Sequence, residues 1–290
     1  MTILEKEPSF ARSFDGTMIA VRDTGAGDLP LLIVTAVGAG LSVWRRSLAF
    51  IDPERRVVSW DLRGLFDSDP PITDRIDPGA HVLDAMAAVR SLRIGRFHVA
   101  AWSSGGRIAL ELAAEYPERV ASLTLVNAGY GYSLARVLRL DLAALLPTAA
   151  GIARRFAAPL QGAFRGFVSR PEIAGLARQS GMTAASADTA SLVALLKGMA
   201  ECDTGRLLAT YHAVAGDPAP HLAAEISAPT LLIAGAHDQF VARDVTEELV
   251  GNLKDVRLET YEDATHYLPI EHPRALAADL QAFTADVERR

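Results

Sequence analysis

Residues 97–115 read FHVAAWSSGGRIALELAAE. The first six are apolar apart from His98, and a run of this length bounded by turn residues reads as a strand buried on both faces. Beyond the glycines, Ile108, Leu112 and Ala113 recur at helical spacing, and this helix is expected to stop near Pro117. Two serines and two glycines therefore stand at a tight strand-to-helix turn. A serine held in such a turn is exposed at the top of the sheet, and the residues two before and two after it must be small because the chain folds back on itself. For Ser103 those flanks are Ala101 and Gly105; for Ser104 they are Trp102 and Gly106. Ser103 is thus the better nucleophile. Ser104 then supplies a backbone N–H at a helix N-terminus, where negative charge is favoured. The plainer alternative is a serine that only caps the helix.

Working outward, short apolar, β-branched runs alternate with helical patterns. The expected strands are TMIAVRD, PLLIVTAV, RRVVSWD, RFHVAAW, VASLTLVNA, PTLLIAGA and VRLETYE. Between them, HVLDAMAAVRSL places Val82, Ala85, Met86, Val89 and Leu92 on one helical face, and RALAADLQAFTADVE closes the chain with a similar stripe. This alternation implies an α/β fold with a mostly parallel, doubly wound sheet. Residues 130–221 break the rhythm: they are rich in Ala, Leu and Arg and hold no convincing strand. They read as an inserted helical cap, leaving residues 1–129 and 222–290 as the core.

Composition narrows the function classes. A chain of 290 residues, half of them hydrophobic, can bury one large core. A net charge of −6 and the absence of any Lys/Arg run speak against a nucleic-acid surface. No apolar run reaches the roughly 20 residues of a membrane helix. The start MTILEKEPSFAR does not read as a secretory signal, and the single cysteine, Cys202, suits a reducing compartment, so a cytoplasmic protein is expected.

A serine hydroxyl needs a base to take its proton, and the base needs a third group to orient it. On an open sheet of this kind the three follow in the order serine, acid, histidine, each on a loop after a strand. PTLLIAGA runs into His237-Asp238, and VRLETYE runs into Asp263-Ala264-Thr265-His266. Asp238 and His266 are the expected acid and base. Among the other histidines, His98 lies inside a strand, His81 and His272 stand at helix starts, His237 adjoins the acid, and His212 and His221 belong to or border the cap. His266 and His272 do not form a strong zinc pattern, and neither metal nor cofactor is expected. Trp102, Phe240 and Tyr267 flank the three residues and are candidate substrate-pocket side chains, with core packing as the alternative.

The segments PLLIVTAVGAGLSVW, VVSWDLRGLFDS, FHVAAWSSGGRIALELAAEYPERV, TLLIAGAHDQFV and DATHYLPIEHP together resemble the α/β-hydrolase superfamily, in its cap-bearing, esterase-like branch. The resemblance implies nucleophile, acid and base roles for Ser103, Asp238 and His266. It also implies a second oxyanion donor, the backbone N–H of Val37. Three departures stand out. Thr35-Ala36 replaces the family's His-Gly pair, Ala101 replaces the first glycine of the elbow, and Phe66 replaces the second glycine of D-x-R-G-x-G-x-S. The loop at Thr35–Gly40 is therefore expected to have a different shape.

The leading functional expectation is a serine hydrolase cleaving a carboxylic ester, thioester or lactone of a small molecule. A C–C bond hydrolase, a peptidase or a natural-product tailoring enzyme would use the same three residues. A non-catalytic small-molecule receptor is the reading outside enzymology. Serine at position 103 argues against epoxide hydrolases and haloalkane dehalogenases of this fold, which need a carboxylate nucleophile.

Overall fold

The computed structural model describes residues 3, 6–25, 27–131, 162, 165–168, 170, 172–216 and 218–290. Eight strands form one sheet in the order β1-β2-β4-β3-β5-β6-β7-β8. They are β1 (Ser9–Arg12), β2 (Met18–Asp23), β3 (Leu31–Val34), β4 (Val57–Trp60), β5 (Phe97–Trp102), β6 (Val120–Val126), β7 (Thr230–Gly235) and β8 (Val256–Tyr261). Pairings from β4 through β8 are parallel, whereas β1 with β2 and β2 with β4 are antiparallel. The chain is an α/β fold with a mostly parallel sheet. All six residues of β5 and all seven of β6 are buried, as their uninterrupted apolar runs require.

Each expected strand forms, some trimmed at the ends. PLLIVTAV leaves the sheet after Val34, so Thr35–Val37 become loop. Strand β1 has no counterpart in the sequence reading. Only Ala11 of its four residues is buried, so this edge strand has no apolar alternation to reveal it.

Among the described residues the helices include, in chain order, α1 (Arg45–Leu48), α2 (Pro78–Ser91), α3 (Gly105–Glu115), α4 (Ile173–Gln179), α5 (Thr189–Glu201), α6 (Thr204–Ala215), α7 (Leu222–Glu225), α8 (Arg243–Asn252), α9 (Leu268–Glu271) and α10 (Pro273–Arg289). Three of them begin on an aspartate whose carboxylate accepts a first-turn N–H: Asp77 from Ala80, Asp188 from Ser191 and Asp203 from Arg206. Helix α3 ends before Pro117, as expected. Apolar side chains fill both faces of the sheet: Val99, Ala101 and Ile108 belong to one cluster, Ala100, Trp102 and Leu276 to the other. Helices α4, α5 and α6 lie between β6 and β7 in the chain, and α5 packs against the 3₁₀ turn at Leu41–Trp44. Part of the expected helical segment, 132–161, lies outside the described residues.

The DLRG stretch carries a buried ion cluster. Arg63 is fully buried and donates through Nε and Nη2 to both carboxylate oxygens of Asp84, at 2.8 and 2.6 Å. Its Nη1 reaches Asp15 Oδ2 at 3.1 Å and the Arg75 carbonyl at 3.0 Å. This fork ties the loop after β4 to helix α2. Removing one partner of a buried pair strands the other charge, so Asp84→Ala is expected to lower stability by about 3–5 kcal/mol. Urea unfolding of the variant measures it; a loss below about 1 kcal/mol, the scale of an exposed pair, is the contrary result.

Candidate active site

Ser103 leaves β5 with φ 55°, in the left-handed region that a residue with a side chain seldom adopts. Such a conformation costs on the order of 1–3 kcal/mol and persists only where surrounding contacts enforce it. Here its N–H donates to Val126 O at 3.1 Å, and Gly106 N–H donates back to Ser103 O at 2.9 Å. The two glycines after the serines follow from close approach. A Cβ on Gly105 would stand 2.8 Å from the carbonyl oxygens of Val34 and Thr35, and one on Gly106 would stand 2.6 Å from Ala128 Cβ.

The residues expected on later loops come to this turn. His266 Nε2 is 2.8 Å from Ser103 Oγ, and His266 Nδ1 is 2.9 Å from Asp238 Oδ2 and 3.1 Å from Oδ1. Asp238 is itself held: its Oδ1 accepts from the N–H groups of Phe240 at 2.7 Å and Val241 at 3.0 Å. A carboxylate fixed in this way orients the imidazole so that its far nitrogen faces the hydroxyl. The array can remove a proton from Ser103 as its oxygen attacks. The competing histidines stand elsewhere. His98 bonds Ser122 Oγ at 2.7 Å within the sheet, and burial together with the nearby Arg63 guanidinium pushes His81 down to about 3.

Trp102, Phe240 and Tyr267 surround the His266 ring, with centroids 5.4, 4.7 and 5.7 Å away. Trp102 Nε1 also donates to His266 O at 2.9 Å. All three line a cavity of about 270 Å³ beside Ser103, Ser104 and Val37, lined also by Leu195, Leu196 and Met199 of α5 and by Leu207, Leu208 and Tyr211 of α6. No charged aspartate, glutamate, lysine or arginine lines this cavity among the described residues. Burial pushes the Tyr211 and Tyr267 phenols up to about 12, so both stay protonated.

Val37 and Ser104, the two expected oxyanion donors, meet in an unexpected way. Val37 N–H donates to the Ser104 side-chain oxygen at 3.0 Å. Ser104 stands at the N-cap position of α3, yet its side chain makes no capping bond. The glycine replaced by Phe66 also has a local consequence: Phe66 adopts φ 53°, the conformation that a glycine takes freely.

Two positioning residues had no sequence signal. Asn127, at φ 43°, donates through Nδ2 to Thr265 O and His266 O at 2.8 and 3.0 Å and accepts from Gly235 N–H at 2.7 Å. It links the end of β6 to the histidine loop and to β7. Buried Glu271 accepts from Thr265 N–H at 2.8 Å and Thr265 Oγ1 at 2.6 Å. It also accepts from Ala184 N–H at 2.8 Å. Only the folded arrangement shows that an asparagine after one strand and a glutamate five residues beyond the histidine hold the same loop.

Comparisons with known proteins identify the family. The family model described as alpha/beta hydrolase fold matches residues 30–273. The chain belongs to the α/β-hydrolase family. It is 28% identical over 276 residues to a 2-hydroxy-6-oxononadienedioate/2-hydroxy-6-oxononatrienedioate hydrolase of Burkholderia vietnamiensis, covering 89% of this chain and 88% of that protein. Among solved structures, a hydrolase from Pseudomonas aeruginosa superposes with a TM-score of 0.77 at 24% identity, over 96% of this chain and 98% of the other. An enol-lactonase from Burkholderia xenovorans superposes with a TM-score of 0.75 at 21% identity, over 96% and 100%. Among the described residues, no group of three His, Cys, Asp or Glu side chains could hold a metal ion, and no helix is long and apolar enough to cross a membrane.

The contact of Gly105 with β3 supplies a test of how the turn is held. Gly105→Ala drives a methyl group against two carbonyl oxygens, and overpacking of this kind costs about 1–3 kcal/mol. A lower urea midpoint is expected, with slower covalent labelling by a fluorophosphonate as the Thr35–Val37 loop shifts. An unchanged midpoint and labelling rate would show that the close approach is relaxed in solution.

Proposed function

We propose that this chain is a serine hydrolase that acts on a small molecule at a carbonyl carbon, with a carboxylic ester, thioester or lactone as the bond cleaved. The observation that carries the reading is the continuous Ser103–His266–Asp238 hydrogen-bond path opening onto an apolar cavity. In this reading Ser103 Oγ attacks the carbonyl carbon while His266 Nε2 takes its proton. Asp238 stabilises the imidazolium, and His266 then protonates the leaving group. Water hydrolyses the acyl-enzyme by the same relay. The N–H of Ser104 and the Val37 side of the Thr35–Gly40 loop face the developing oxyanion. Helices α5 and α6, from the segment 130–221 expected to be a cap, wall the acyl pocket. No cofactor takes part.

The leucines and Met199 favour an uncharged acyl group. A carboxylate placed against them without a partner would cost several kcal/mol. Carbon–carbon bond hydrolysis is the second reading, and the similarity to the Burkholderia vietnamiensis hydrolase favours it. The substrate in that protein's name carries a ketone and two carboxylates but no ester, so its hydrolysis breaks a carbon–carbon bond.

Steady-state hydrolysis of p-nitrophenyl esters from acetate to octanoate separates the readings. Turnover is expected, with kcat/KM rising from acetate to butyrate or hexanoate, and Ser103→Ala is expected to lower it by at least about 10⁴-fold. Negligible ester turnover together with cleavage of a 6-oxo-dienedioate would make the second reading correct. Equal ester turnover by wild type and Ser103→Ala would contradict both.

A further inference from the structure

We propose that the side-chain hydroxyl of Ser104 is itself an oxyanion donor, and that Val37 N–H acts through it. The inference rests on the reading of Ser103 as nucleophile and deepens it. Its starting point is a bond made in an unusual direction: Val37 N–H, the expected loop donor, gives its hydrogen to Ser104 Oγ at 3.0 Å. That bond uses one acceptor site of the hydroxyl and leaves its own hydrogen to be placed.

Where that hydrogen goes is constrained. Ser104 is 5% exposed, and its side chain makes no bond with the first turn of α3, the ordinary use of a serine at that position. No acceptor for its hydroxyl hydrogen occurs among the described residues. A buried O–H without an acceptor is costly, so a site that keeps one gains when a ligand oxygen accepts from it. Ser104 borders the same cavity as Ser103 and His266. An oxygen there is where the attack of Ser103 on a carbonyl generates negative charge.

The chemistry is balanced without a further reactant. The Ser103 Oγ–carbon bond forms, the carbonyl π pair moves onto oxygen, and the Ser103 proton passes to His266 Nε2. The Ser104 hydroxyl keeps its proton and donates a hydrogen bond. Val37 N–H polarises that hydroxyl from behind, since a hydroxyl that accepts a bond becomes a stronger donor. Two donors then face the oxyanion from one residue: the Ser104 N–H at the start of α3 and the Ser104 O–H. This arrangement explains how the Thr35–Gly40 loop can serve the reaction although Val37 N–H is already engaged.

Ser104→Ala and Ser104→Cys test the proposal, with p-nitrophenyl butyrate turnover and ¹⁹F NMR of the hemiketal formed with an alkyl trifluoromethyl ketone. Ser104→Ala is expected to lower kcat by about 10²–10³-fold with KM little changed. The trifluoromethyl ketone should bind more weakly by the same factor. The thiol of Ser104→Cys, a weak donor of similar size, should give an intermediate loss. Urea midpoints of both variants close to wild type show that the effect is local.

Turnover and ketone affinity in Ser104→Ala equal to or better than wild type would overturn the proposal. Val37 N–H, freed by the substitution, would then bind the oxyanion directly and the hydroxyl would be a plug. If wild type and Ser103→Ala both fail to form the hemiketal, the nucleophile reading falls and this proposal with it. A hemiketal that forms in wild type but is lost in Ser103→Ala keeps the nucleophile reading, whatever Ser104 does.

Discussion

At Ser103 the chain leaves a strand buried on both faces and enters a helix within two residues, with φ 55° at the serine itself. Much of the site follows from that turn. It brings the first residue of α3 so close to the end of β3 that only glycine fits at position 105. The same contact sets Val37 beside Ser104 and holds the serine hydroxyl above the carboxyl ends of the strands. The local cost of the turn is met by packing on every side, from Val126 O on β6 to the carbonyls of Thr35 and Val34. In the proposed reaction, a site held this tightly has little rearrangement left to do when charge develops.

Most of this architecture was legible because it is written in local pattern. Unbroken apolar runs such as FHVAAW and VASLTLV have few structural solutions, and both become central strands. The flanks Ala101 and Gly105 separate Ser103 from Ser104 because crowding at the turn is itself a local property. Asp238 and His266 were found from their places on successive strand-end loops, and the fold brings them within hydrogen-bond reach of each other and of Ser103.

The parts that could not be read are those decided by distant approach. Strand β1 exists because β2 offers it a partner, and its single buried residue leaves no alternation. Asn127 and Glu271 hold the histidine loop across 139 and 6 positions of sequence. Arg63 was visible as part of a motif, but its enclosure with Asp84 and Asp15 was not. The redirected Val37 N–H depends on a rotamer of Ser104. The cavity beside Ser103 is of this second kind too, because its wall is assembled from α5, α6 and four separate strand-end segments.

The central claim is that Ser103, and not its neighbour, forms the covalent bond to the substrate. Peptide mapping after reaction with an alkyl fluorophosphonate tests it most directly. One adduct per chain is expected, carried by Ser103, absent in Ser103→Ala and at least about 10²-fold slower to form in His266→Ala. An adduct on Ser104, or a labelling rate indifferent to His266, would contradict the account.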